Sequence, residues 1–145
     1  MFKKILVATD GSVHSEKAVL AAIDLARQTG GKLFAISVSE PYPFPPISES
    51  PYSGGSAAYE RHSLALAQEH AAKAAELAAD SQVSCETVVV SGISPHDEIL
   101  GACERLQCDS IVMATHGRKG LNKLFAGSET QKVIANAHVP VVVIR

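Results

Sequence analysis

Two polar segments of the chain come directly after short apolar runs, and their residue types suit ligand binding. The first contains Asp10, which follows an apolar run ending at Ala8 and precedes a stretch with helical spacing. A carboxylate at the carboxyl end of a strand is placed to bind a ribose hydroxyl or a base amine. Its alternative role is to cap the helix that follows. Ser12 is the better placed cap, which favours ligand binding for Asp10.

The second segment lies between an apolar run ending at Ala114 and a helical stretch that begins at Ser128. Its glycines let the backbone approach a ligand closely, and the first amides of the helix form an anion site. It matches neither GxxxxGK[ST] nor GxGxxG, and a flexible basic loop is the alternative. The nucleotide-binding residues predicted in this segment are Met113, Ala114, His116, Gly117, Arg118, Gly120, Gly127, Ser128, Glu129 and Thr130.

No residue has the marks of a catalytic base, and we predict no catalytic residue. His116 is the only histidine near the predicted phosphate site, and a lone histidine in such a loop more often hydrogen-bonds the backbone. The three cysteines lack CxxC spacing, so a zinc site is not expected. The remaining histidines are predicted to be surface residues: His14, His62, His70, His96 and His138.

Strand-like and helix-like stretches alternate along the chain, which predicts an α/β fold. Helices on both faces of a parallel sheet would make it a three-layer sandwich. Right-handed crossovers leave the strand orders 2-1-3-4-5 and 3-2-1-4-5 open. We predict strands over residues 2–8, 33–38, 83–90, 110–114 and 139–145, and helices over 12–29, 57–79 and 128–137, with another starting at Ser94 and burying Ile99, Ala102, Cys103 and Leu106.

Residues 39–56 interrupt this alternation and hold five of the seven prolines. A loop of this length in a compact domain is usually functional or disordered. It is either a lid or partner surface built from Tyr42, Phe44 and Tyr52, or a semi-rigid crossover.

Length and charge narrow the function classes. The 145 residues fit one domain, which we place at residues 1–145. A net charge of −2 gives no field suited to nucleic acid or an anionic membrane. No stretch approaches the length of a membrane helix, so no membrane insertion is expected. The odd number of cysteines suggests free thiols and a cytoplasmic location.

The chain resembles the universal stress protein family over essentially its whole length. The matching marks are residues 5–12 at the start, the Gly117 loop with Gly127 and Ser128, and residues 139–145 at the end. The family pattern is Gly, two residues, Gly, nine residues, Gly, then Ser or Thr. Here Gly117 is followed by nine residues and then Gly127 and Ser128, while Ala114 stands at the first glycine position.

This resemblance implies a five-stranded parallel sheet ordered 3-2-1-4-5 with four helices, a Rossmann-like or adenine nucleotide α-hydrolase-like fold. It also implies ATP as the ligand, with Mg²⁺ bridging the phosphates. Phosphates would be held by Gly117, Gly127, Ser128 and Thr130. The adenine and ribose would be surrounded by Ala8, Thr9, Asp10 and Val38. A methyl group at Ala114 would either crowd the ligand or be accommodated.

The last apolar run, residues 139–144, would form an edge strand in that order. A bare edge of this composition invites pairing, so we predict a homodimer through two such strands, as the resemblance also implies. One of the Val142 and Val143 amides must face outward. The resulting function is ATP binding in stress response or energy-state sensing. A nucleotide-free, partner-binding stress dimer and a slow ATPase are the alternatives.

Overall fold

Five strands and four helices alternate along the described part of the chain. The computed structural model describes residues 1–43, 53–116 and 127–145, and the side chains of residues 53 and 54 are not described. The strands are β1 (Lys4–Ala8), β2 (Lys32–Ser39), β3 (Cys85–Ser91), β4 (Ser110–Ala114) and β5 (Val141–Ile144). The helices are α1 (Val13–Thr29), α2 (Ser53–Asp80), α3 (Pro95–Arg105) and α4 (Ser128–Asn136).

The strands form one parallel sheet in the order β3-β2-β1-β4-β5. This confirms the predicted fold class and the strand order that the family resemblance implied. β1 lies in the centre, where Val7 pairs with Ala35 of β2 on one side and with Val112 of β4 on the other. The carboxyl ends of β1 and β4 are therefore neighbours.

Apolar side chains fill the space on both faces of the sheet. Because successive residues of a strand point to opposite faces, Ile5 and Val7 pack with α1 and α2, whereas Leu6 packs with α3 and α4. All three are fully buried. Two helical layers thus enclose the sheet, which is the predicted three-layer arrangement.

Helix α1 begins and ends as its sequence predicts. The Ser12 hydroxyl accepts a hydrogen bond from the Ser15 amide at 3.1 Å, which caps the first turn. At the other end Gly30 has a φ of 64°, and the Gly31 amide donates to the Ala26 carbonyl at 2.9 Å. Glycine adopts this left-handed conformation without steric cost, which explains why the helix stops there.

Helix α2 contacts the sheet mainly through alanines. Leu66 and Leu77 are only partly buried. The small side chains let the helix backbone lie close to the strands. The buried stripe consists of Ala67, Ala71, Ala74 and Ala78.

Several element boundaries differ from the sequence prediction. Helix α2 begins at Ser53 rather than at residue 57, and β2 continues to Ser39, so the predicted loop 39–56 is shorter at both ends. Residues 44–52 of that loop, including Phe44 and Tyr52, lie outside the described residues. Strand β3 starts at Cys85 because the Val83 amide is used at the end of α2, where it donates to Ala78.

Among the helices within the described ranges, none is long and apolar enough to cross a membrane.

Candidate functional site

The carboxyl ends of β1 and β4 bring the two predicted polar segments together. Strand β1 leads into the turn that contains Asp10, and β4 leads into Thr115 and His116. The rings of His14 on α1 and His116 lie with their centroids 6.5 Å apart. The first turn of α1 and the end of β4 are therefore neighbours at this edge of the sheet.

Hydrogen bonds hold the turn after β1 in a fixed shape. Asp10 Oδ1 accepts from the Ser12 amide at 3.0 Å. The Thr9 hydroxyl lies 3.2 Å from the Ser15 hydroxyl and accepts from the Gly11 amide at 3.3 Å. Gly11 has a φ of 75°, which suits glycine. The Asp10 carboxylate is therefore oriented by its own turn and is partly buried at the sheet edge.

Helix α2 contributes a residue to this turn that the sequence analysis missed. The His70 ring packs directly against Gly11, where even a Cβ atom would collide with it. His70 is only partly exposed, so its assignment to the surface was wrong. Its partner lies 59 residues earlier in the chain, and no local pattern connects the two positions.

The start of α4 is fastened to the end of β4. The Gly127 amide donates to the Thr115 carbonyl, and the buried Thr130 hydroxyl donates to the Ala114 carbonyl at 2.9 Å. A Cβ on Gly127 would lie only 3.2 Å from the Thr115 oxygen. The close approach of these two backbones thus depends on glycine at position 127.

The first turn of α4 is suited to an anion. Its N-cap residue is Gly127, and no side chain in the described ranges caps the helix. Ser128 is exposed at the first helical position. Thr130 uses the one proton of its hydroxyl on Ala114, so that hydroxyl cannot also donate to a phosphate. The groups left for an anion are main-chain amides and the Ser128 hydroxyl.

Ala114 directs its methyl group into the core. It is 8% exposed and belongs to the apolar cluster beneath α1, together with Val112 of the same strand. Three other predicted site residues lie on the opposite face of the sheet, packed towards α3 and α4: Ala8, Val38 and Met113. Met113 is 6% exposed, and Ala8 and Val38 are partly buried.

Glu129 is directed towards α3. Its Oε2 atom accepts from the His96 amide at 2.9 Å and lies 2.8 Å from His96 Nδ1. The Ser94 side chain does not cap α3, so Glu129 supplies an acceptor for its first turn. Partial burial raises the pKa of Glu129, but hydrogen bonds from the His96 ring and amide outweigh it and hold that pKa below its usual value.

The His96 ring is therefore not the surface residue that the sequence predicted. Its side chain is 18% exposed and contacts Glu129, the Ser94 hydroxyl and Asp97. The two sides of the His96–Glu129 contact are 33 residues apart. A local pattern could identify the start of α3 but not the carboxylate that caps it.

His116 is the last described residue of the segment that follows β4. Its Nδ1 atom lies 3.1 Å from the Thr115 hydroxyl. Its Nε2 atom is buried without a hydrogen-bond partner among the residues that the structure describes. Gly117, Arg118 and Gly120, which were predicted to line the site, lie outside the described residues. Within those ranges no group of three His, Cys, Asp or Glu side chains could hold a metal ion.

Fold and site together define an α/β protein with two polar segments side by side, where the connections leave β1 and β4 for opposite faces. The model of the universal stress protein family matches residues 1–145, and the chain belongs to that family. Family membership associates it with the stress response.

Relatives of similar length support this assignment. A universal stress protein of Thermus aquaticus is 35% identical over 146 residues, which cover 100% of this chain and 100% of the relative. Universal stress protein MJ0531 of Methanocaldococcus jannaschii is 33% identical over 145 residues, which cover 100% of this chain and 83% of the relative.

Solved structures share the fold. Universal stress protein UspA from Lactobacillus plantarum superposes with a TM-score of 0.87 at 23% identity, covering 99% of this chain and 98% of its own. A universal stress protein from Archaeoglobus fulgidus in complex with dAMP has a TM-score of 0.73 at 19% identity, covering 98% and 97%. A universal stress protein solved in complex with cAMP has a TM-score of 0.72 at 20% identity, covering 99% of this chain and 97% of its own.

The Glu129 cap gives a prediction for stability. Glu129→Gln should lower the free energy of unfolding at pH 7 by about 1 kcal/mol, since a charged acceptor at a partly buried helix start is replaced by a neutral one. Because the pKa of Glu129 is lowered by folding, its stabilisation is complete above the unfolded value of 4.5 and is lost as the pH falls through the lower folded value.

Urea titrations from pH 3 to pH 7 test this, with Glu104→Gln as the control on the exposed face of α3. The difference between the parent and Glu129→Gln should shrink towards zero at the acidic end. A difference independent of pH would contradict the assignment.

Proposed function

We propose that this protein binds an adenine nucleotide, ATP with Mg²⁺, at the carboxyl ends of β1 and β4. We further propose that it acts as a cytoplasmic homodimer in stress response or energy-state sensing. The observation that supports nucleotide binding best is the start of α4. It has no side-chain cap in the described ranges and is held by Gly127 against β4, beside the turn that carries Asp10. The solved neighbours with dAMP and cAMP are consistent with an adenine nucleotide.

The phosphates would bind at the first turn of α4. Amides at a helix start point towards an anion, and the helix dipole favours negative charge there. Gly127 keeps the approach to these amides open, and the exposed Ser128 hydroxyl can donate to a phosphate oxygen. Thr130 would hold the first turn of α4 in place through its bond to Ala114, and its hydroxyl would not donate to the phosphate. We assign further phosphate contacts to Gly117, Arg118 and Gly120, which lie outside the described residues.

The nucleoside would lie along the ends of β1 and β2. Asp10 is partly buried and fixed by its turn, so its carboxylate can accept from a ribose hydroxyl or a base amine. Ala8 and Val38 share one face of the sheet, where they offer an apolar surface to the base. Thr9 is 8% exposed, and its hydroxyl is engaged with Ser15 and Gly11, so it would act through the backbone.

Binding of Mg²⁺ would depend mainly on the nucleotide. Within the described ranges no cluster of three candidate ligands exists, whereas Mg²⁺ is commonly held by one or two carboxylates together with substrate phosphates and water. Asp10 is the carboxylate at this site in the described part of the chain. The ion would reduce repulsion among the phosphates as they meet the protein.

Gly127→Val should abolish ATP binding. Its side chain would press against the Thr115 carbonyl, move the start of α4 away from β4 and displace the amides that phosphate oxygens would approach. Calorimetry with Mg²⁺–ATP should give micromolar affinity for the parent, about −8 kcal/mol, and no measurable heat for the variant. The matched control is Gly55→Val, because a Cβ on Gly55 meets no atom within 4 Å.

Circular dichroism must show that Gly127→Val remains folded. Equal affinity in a folded Gly127→Val variant would place the nucleotide elsewhere. A parent protein that binds no ATP at millimolar concentration would favour the nucleotide-free dimer.

Ala114→Gly should leave ATP affinity unchanged and destabilise the fold. The methyl group is packed in the core beneath α1 rather than in the proposed nucleotide site, and glycine in a strand costs about 0.5–1 kcal/mol relative to alanine. Calorimetry and urea unfolding of the same preparation measure both effects. Tighter ATP binding by the variant would instead show that the methyl group crowds the ligand.

The homodimer proposal rests on the exposed edge of β5. β5 is the last strand of the sheet. The carbonyls of Pro140 and Ile144 accept from Ile111 and Thr115 of β4, so by alternation Val142 also faces β4 and the Val143 amide points outward. Two such edges can pair about a two-fold axis.

Val143→Pro should therefore convert the dimer into a folded monomer, because proline removes an outward donor without touching the ladder to β4. Light scattering on a sizing column at low micromolar concentration measures the mass. Val142→Pro is the contrasting variant, since it removes a donor that faces β4 and should destabilise the fold itself. A folded Val143→Pro variant that remains dimeric would contradict pairing through this edge.

A further inference from the structure

Two of the three cysteines meet at the carboxyl end of α3. The Cys108 amide donates to the Cys103 carbonyl at 2.9 Å, and Gln107 between them has a left-handed φ of 54°. The Gln107 amide donates to the Glu104 carbonyl at 3.0 Å. This is the Schellman arrangement, in which the residues at these two positions usually make an apolar contact. Here both positions of that contact are cysteine.

The Cys103 thiol contacts the main chain of Cys108. Its Sγ atom lies 3.7 Å from the Cys108 carbonyl oxygen, to which it donates. The backbones of the two cysteines are held together by the bond between the Cys108 amide and the Cys103 carbonyl. A disulfide requires two neighbouring Cβ atoms on nearby backbones. The end of α3 holds the two cysteines next to each other in this way.

A small cavity gives access to the pair. It has a volume of about 100 Å³, and both cysteines line it together with Leu100, Gln107 and Val139. Cys103 and Cys108 are 5% and 6% exposed, so a bulky thiol reagent is hindered. A water molecule occupies about 30 Å³ of liquid, and hydrogen peroxide is little larger. The cavity therefore admits a small oxidant.

We propose that Cys103 and Cys108 form a redox modification site, at which hydrogen peroxide converts the thiol pair into an intramolecular disulfide. The Cys103 thiolate attacks one peroxide oxygen, an S–O bond forms, the O–O bond breaks, and the departing hydroxide takes up a proton to become water. The sulfenic acid on Cys103 is then attacked by Cys108 sulfur. The S–S bond forms, the S–O bond breaks, and water leaves with the Cys108 proton. Two thiols lose two electrons, and one peroxide becomes two waters.

The two cysteines differ in the direction of their pKa shifts. The Cys108 side chain lowers the pKa of the Cys103 thiol against the effect of burial, whereas the Cys103 side chain and burial raise the pKa of the Cys108 thiol. Cys103 is thus the attacking sulfur and Cys108 the resolving one. Cys85 provides an internal comparison, because burial raises the pKa of its thiol to about 11.

The test uses the folded full-length chain and measured doses of hydrogen peroxide. After quenching and alkylation, peptide mass spectrometry should find one bond between Cys103 and Cys108, with a mass loss of about 2 Da that dithiothreitol reverses. Cys85 should stay reduced, and its oxidation should be at least about tenfold slower. Cys85→Ser should form the same bond at the same rate.

Single variants separate the two steps. Cys108→Ser should trap the sulfenic acid on Cys103, detected with a dimedone-type reagent, whereas Cys103→Ser should give neither the acid nor the disulfide. Circular dichroism verifies that both variants remain folded. If either variant is unfolded, the selective disulfide in the parent protein decides the proposal. Oxidation of all three cysteines at similar rates, or bond formation only in urea, would reduce the pair to a packing contact and overturn the proposal.

Discussion

The pairing of β1 with β4 determines where the site can form. Strands β2 and β3 lie on one side of β1, and the chain then returns to add β4 and β5 on the other side. The connections that leave β1 and β4 therefore run to opposite faces, and a crevice opens between them. In the order 2-1-3-4-5, β1 would instead neighbour β3, and Asp10 would lie beside the residues after Ser91. The start of α4, which Gly127 and Thr130 hold against the end of β4, would then no longer lie beside Asp10.

Both sides of this crevice are held by hydrogen bonds of their own. Asp10 is oriented by the Ser12 amide, and α4 is fastened through Thr130 to Ala114. Groups that are already ordered lose little entropy on binding. The same bonds also determine which atoms remain for a ligand. Because the hydroxyls of Thr9 and Thr130 are engaged, the proposed recognition of a nucleotide would rest on main-chain amides and the Asp10 carboxylate.

Features set by neighbours in sequence could be predicted, whereas long-range pairings could not. Ser12 and Gly30 define α1 through bonds within a few residues, and the apolar runs place the strands to within a few positions. Strand order is a property of distant segments, so periodicity left two orders open and the family resemblance decided between them. Helix α2 was predicted from its composition, and it contacts the sheet mainly through alanines, such as Ala71 and Ala78, whose small side chains allow a close approach.

Glu129 shows how a correct local prediction can miss the role of a side chain. Its place in the first turn of α4 fits the predicted site, yet its carboxylate binds the start of α3. Helices α3 and α4 pack on the same face of the sheet, so two helix starts lie within reach of one carboxylate. A carboxylate over the α4 amides would compete with a phosphate for the same donors. Because Glu129 accepts hydrogen bonds from the amide and ring of His96, it stabilises α3. Its carboxylate is thereby directed away from the first amides of α4, which an anion would bind.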